Sequence, residues 1–116
     1  MIEMSPQRFE QLVAAAMDDV PDELMSLASN VALVISDDPP PDEPDLLGLY
    51  EGIPLTERDT AYGGVLPDKI SIFRRPTLAH CDTEDEVRAE VAITVVHEIA
   101  HHFGIDDDRL HELGYA

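Results

Sequence analysis

Basic residues are scarce. Lys and Arg number 7 against 25 Asp and Glu, which gives a formal net charge of −18. Nucleic acids and anionic membrane surfaces are held mainly through Lys and Arg, so neither is expected as a partner. The acidity could favour cationic peptides, but net charge acts first on solubility, and we read it so. Cysteine is nearly absent. The single Cys81 excludes an internal disulfide and suits a cytoplasmic chain rather than a disulfide-stapled secreted scaffold. Cys81 itself reads as a small buried residue. The opening residues lack a basic segment followed by an apolar run, so no signal peptide is expected. No stretch is long and apolar enough to span a bilayer.

What is present suffices for a core. Apolar residues make up 44% of 116 residues, enough to build one domain over 1–116, and no repeat or boundary interrupts it. Ser5-Pro6 opens a first helix as cap and first helical residue. Phe9, Leu12, Val13, Ala16, Met17 and Val20 then form one apolar face, and Pro21 ends that helix or starts a second over Asp22 to Ala28. Val31 to Ile35 is a continuous apolar run rich in β-branched residues and predicts a buried strand. Asp37 to Asp45, crowded with proline and acids, predicts a solvated connector, with a flap over a cleft as the alternative. Leu46 to Ile53 predicts a second strand, Pro54 to Gly64 a loop, and Asp68 to Arg74 a third strand stopped at Arg74-Arg75-Pro76.

Thr83-Glu84-Asp85-Glu86 is a capping box with acids in the first helical turn. The helix it opens runs to about Phe103. Val87, Val91, Thr94, Val95, Ile99, Ala100 and Phe103 give it a broad apolar surface, widened by Ala92, Ile93 and Val96, which predicts a helix buried nearly all round. Near its end stands His97-Glu98-Ile99-Ala100-His101, an H-E-x-x-H pattern. Residues i and i+4 of a helix share a face, so His97 and His101 can aim at one ion while Glu98 stands beside it to take a proton from a bound water. Histidines and a glutamate in so apolar a helix need partners, and a metal is the simplest partner for all three. Gly104 follows His101 by three residues, and Asp107 follows Gly104 by three. Glycine tolerates the left-handed conformation that ends a helix, so a turn at Gly104 could return Asp107 toward the histidines as a third zinc ligand. Asp106 and Asp108 compete for that role, and Glu112 or His111 on the last short helix, Asp106 to Leu113, are rivals. His102 lies off the ligand face and is expected in solvent or behind the ligands. Tyr115 is either an oxyanion donor or a frayed tail residue.

The string HEIAHHFGIDD, in an acidic chain of this length, resembles the small bacterial zincin-like family, the minimal zincins. The resemblance covers about Thr83 to Leu113. It implies an α+β zincin-like fold, with a small sheet packed against an active-site helix and an N-terminal helix. It implies zinc held by His97 and His101, with Glu98 as general base in peptide hydrolysis. Zincin substrates lie extended along an edge strand, for which Leu46 to Ile53 or Asp68 to Arg74 is the candidate. Asp107 stands where metzincins carry a third histidine. No methionine follows residue 25, so the metzincin methionine turn is absent, and nine residues after Asp107 leave little for a specificity pocket. Peptide or protein substrates are therefore the expected partners, and a monomer is compatible with everything in the sequence. The alternative from another class is a zincin-like metal-binding module that interacts or regulates without catalysing.

Overall fold

A computed structural model describes residues 1–28, 30–52 and 68–115. The first helix, α1 (Pro6–Asp19), starts where the Ser5 hydroxyl accepts the Arg8 N–H, and it buries Phe9, Leu12, Val13 and Ala16. Helix α2 (Asp22–Leu27) follows Pro21 and seats Leu24 in the core. Strand β1 (Val31–Ser36), strand β2 (Gly48–Glu51) and strand β3 (Asp68–Phe73) form one sheet of order β1-β3-β2. β1 runs parallel to β3, and β2 antiparallel to it. Helix α3 (Arg74–Ala79) leaves β3 directly. Helix α4 (Glu84–Phe103) and helix α5 (Asp107–Glu112) complete the described elements. Helices and a small mixed sheet make this an α+β fold.

The core lies between the sheet and the helices. Ile70 and Ile72 of β3 join Phe9 and Val13 of α1 and Val87, Val91, Val95 and Ile99 of α4, all essentially solvent-free. The centre of α4 is thus clamped between α1 and the sheet. Removing each such side chain from water contributes about 1.5–3 kcal/mol.

The strands depart from expectation in three ways. Val31 to Ile35 is not buried: Leu33 and Val34 are exposed, because β1 is an edge of the described sheet. Asp68 to Arg74 cannot be the substrate edge, since β3 is the central strand and its backbone groups serve both neighbours. And Arg74-Arg75-Pro76 does not merely stop the strand but forms the first turn of α3. Proline is tolerated there because first-turn N–H groups have no partner within the helix. The Thr77 hydroxyl donates to the Phe73 carbonyl (2.8 Å) and ties the new helix to the strand it leaves. Ile53 and the loop from Pro54 to Gly64 lie outside the described residues. The connector at 37–45 is irregular and anchored at its start, where Asp37 pairs with Arg74 and Asp38 with Arg75. The described clefts beside α4 are lined by other residues.

Candidate metal centre

Helix α4 begins at Thr83 as expected, although the glutamate of its capping box reaches one residue beyond the cap. The Thr83 hydroxyl accepts the Glu86 N–H (3.1 Å), and the Glu86 carboxylate reaches back to the Asp82 N–H (3.1 Å). It ends at Gly104, whose φ of +71° is left-handed, with the N–H groups of Gly104 and Ile105 both closing on the Ala100 carbonyl. Between these ends the helix is not buried all round. Ala89, Ile93, His97 and His101 follow one another at four-residue spacing. Ala89, Ile93 and His101 are exposed, and His97 is half-buried. The two histidines therefore share one solvent-facing line, one helical turn apart.

Glu98 stands off this line, half-buried against β2. Burial raises its pKa above the ordinary value, while a backbone hydrogen bond from Tyr50 and the nearby imidazoles of His101 and His97 pull it back. The sheet register explains the Tyr50 contact. The Phe73 N–H donates to the Leu47 carbonyl (2.9 Å), and Gly48 pairs with Ile72. In an antiparallel ladder, hydrogen-bonded pairs alternate with non-bonded ones. Leu47, Leu49 and Glu51 therefore turn their backbone groups to β3, whereas Gly48 and Tyr50 turn theirs to the outer edge, toward α4 and Glu98. Gly48 makes the close approach feasible. A β-carbon there would sit 2.5 Å from Thr94 Cγ2 and 3.1 Å from the Ser71 carbonyl oxygen.

After Gly104 the chain folds back. Asp106 caps α5 by accepting the Arg109 N–H (2.8 Å), and Leu110 enters the core. Arg109 binds both carboxylate oxygens of Glu23 on α2 (2.5 and 2.6 Å) and Glu112 (2.7 Å). So fixed, α5 presents Asp107, Asp108 and His111 across a cleft of about 380 Å³ from His97 and His101. Among the described residues, no three such side chains stand close enough to form a ready ion cage. The donor chemistry nonetheless suits zinc, which accepts imidazole nitrogen and carboxylate oxygen in a set of three plus water. Asp106 gives one carboxylate oxygen to its capping bond and does not line the cleft. Glu112 is held by Arg109 and does not line the cleft, whereas His111 does.

Three further residues frame the site. His102 is exposed, as expected, but its ring is not free. Its ring stacks on Tyr50 (centroids 3.9 Å apart) with Nε2 3.7 Å from the Asp68 carboxylate, to which the Tyr50 hydroxyl also donates (2.8 Å). Tyr115 is not frayed. Its N–H donates to the Leu110 carbonyl (2.8 Å) and its hydroxyl to the Asp19 carbonyl (3.0 Å), so its proton is committed away from any oxyanion. Tyr50, which touches Glu98 and steadies the end of α4, carries no sequence signal, because its role comes from strand register alone. Cys81 is buried as expected, and burial raises its thiol pKa.

A mixed sheet whose edge strand lies along a helix bearing an i, i+4 histidine pair on its open side, with a glutamate between them in sequence, defines a zincin-like α+β protein. The chain belongs to the zincin-like metallopeptidase family, whose model matches residues 28–115. Among solved structures, it is similar to a conserved hypothetical protein from Thermo thermophilus. The TM-score is 0.54 at 23% identity, with 86% of this chain and 94% of that one covered, a likeness of fold. No curated protein matches the chain. Among the described residues, no helix is long and apolar enough to cross a membrane.

Proposed function

We propose that this chain is a zinc-dependent peptidase. His97 and His101 hold the metal, Asp107 completes the ligand set across the cleft, and Glu98 is the general base. The observation that carries this reading is the histidine pair, His101 exposed and His97 half-buried, facing Asp107 over one cleft, with Glu98 beside it and anchored by the Tyr50 N–H. Zinc bound there would acidify a water molecule and polarise a peptide carbonyl. The Glu98 carboxylate accepts the water proton and passes it to the leaving amine. Burial raises the Glu98 pKa above the ordinary carboxylate value, the direction that makes it a stronger base. The Tyr50 N–H holds the carboxylate in place, and the Gly48 edge of β2 offers backbone groups to an extended peptide. Peptide or protein substrates, and a cytoplasmic setting consistent with the lone Cys81, go with this reading.

The test begins with zinc stoichiometry on protein purified without added metal. About one zinc per chain is expected, as three ligands plus water define one site, with loss in His101→Ala. Glu98→Gln should then keep zinc and lose hydrolysis of a peptide library. Turnover retained in that variant would remove Glu98 from its role. A second reading is a metal-binding interaction module without catalysis. It predicts zinc binding with no cleavage of any peptide, by the native chain or by Glu98→Gln.

A further inference from the structure

A second cleft, of about 470 Å³, opens on the other side of His97. Its floor is α4, through Ala89, Ala92 and Ile93. Its opposite wall is the C-terminal turn, through Leu113 and Tyr115. Ile93 is 37% exposed, on the open line of the helix that also carries Ala89 and His101. It stands one turn before His97 on the same line, so the apolar floor runs directly into the metal cleft.

The wall is built rather than loose. Tyr115 is fixed by its two hydrogen bonds, to the Leu110 and Asp19 carbonyls, and Gly114 takes the left-handed φ of +92° that turns the chain back over α4. Among the described residues that line the cleft, the one acidic side chain, Asp19, is already paired, with both oxygens held by Arg88 at 2.6 and 2.8 Å. A cationic side chain would have to compete with that guanidinium. An apolar one would simply take Ile93 and Leu113 out of water.

We propose that this cleft is a specificity subsite that receives an apolar side chain, of leucine or phenylalanine size, from the substrate residue next to the carbonyl held at His97. The proposal rests on the zinc-peptidase reading. The C-terminal turn thereby supplies the pocket wall, and Ala89 and Ile93 set its depth.

The test uses zinc-loaded protein and four hydroxamate-capped dipeptides, whose hydroxamate chelates zinc and whose first residue is Gly, Leu, Phe or Lys. The Leu and Phe compounds should bind about tenfold or more tighter than the Gly compound, with Lys no better than Gly. Ala89→Leu fills the floor from an exposed position and should bring Leu and Phe within about threefold of Gly. Equal binding of all four compounds would overturn the subsite and leave the zinc reading standing, as would a preference for Lys. Failure to load zinc, or to bind any hydroxamate once loaded, would overturn the zinc reading and this inference with it.

Discussion

Gly48→Ala tests the contact on which the geometry of the site depends. The added β-carbon would lie 2.5 Å from Thr94 Cγ2 and 3.1 Å from the backbone oxygen of Ser71. Thr94 cannot easily turn aside, because its hydroxyl donates to the Glu90 carbonyl (2.8 Å) and a β-branched side chain has few rotamers in a helix. The added methyl must therefore push β2 away from α4. Overpacking of this kind costs about 1–3 kcal/mol. Alanine returns about 0.4–1 kcal/mol by restricting the unfolded chain where the backbone permits it, and φ at Gly48 is not left-handed. The net expectation is a loss of about 1–2 kcal/mol, or roughly 3–10 °C in Tm for a chain of this size. Urea denaturation of the metal-free protein measures it. Thr94→Ser removes Cγ2 and keeps the hydroxyl, so the double variant Gly48→Ala/Thr94→Ser should recover more than half of the loss. A Gly48→Ala variant as stable as the native chain, or a double variant no better than the sum of the singles, would refute the claimed contact. Displacement of β2 also draws the Tyr50 N–H from Glu98, so Gly48→Ala should lower kcat more than it lowers zinc affinity.

Other expectations follow from the same structure. Asp107→Ala and His111→Ala, read by competition with a chromophoric chelator, should both weaken zinc binding, Asp107→Ala more so, while Glu112→Ala should leave it near native. The carboxylates of Asp19, Asp37 and Glu84 titrate below their ordinary range beside Arg88, Arg74 and Arg8. A folded pKa lowered in this way gives stability that is present above the unfolded pKa and lost as pH falls through the folded one. Arg88→Met should accordingly flatten the acid limb of metal-free stability between the ordinary carboxylate pKa and more acidic pH. Glu98 runs the other way: its raised pKa means that ionisation costs stability as pH climbs past its ordinary value of 4.5. Metal-free Glu98→Gln should therefore be more stable than the native chain at neutral pH, with the advantage gone at acid pH. The buried Cys81 thiol, its pKa raised by desolvation, should resist a disulfide reagent at neutral pH until denaturant is added.

Much of the helical structure was legible because its signals are local. Ser5-Pro6, Thr83 with Glu86, and Gly104 mark helix ends through bonds reaching only a few residues, and each does so in the structure. The short helix after Phe73 was not, because Arg-Arg-Pro reads equally as a strand stop and as a first turn. The burial of β1 was not legible either, because a run of Val, Leu and Ile specifies a strand but not its place in the sheet. Composition alone puts Ile93 in the core, although the four-residue step to His97 places it on the open face.

The sequence by itself determined the chemistry available: two imidazoles and a carboxylate at helical spacing, and a glycine that ends their helix, since these depend only on the repeat of the α-helix. Tertiary structure decided how that chemistry is framed. Strand order made β2 rather than β3 the edge, and the ladder's alternation aimed the Tyr50 N–H at Glu98. Leu110 and the Arg109–Glu23 pair set α5 across from the histidines, and the bond from Tyr115 to Asp19 raised a wall beside His97. Those contacts join residues far apart in the chain. They depend on how the layers pack, which no local pattern encodes.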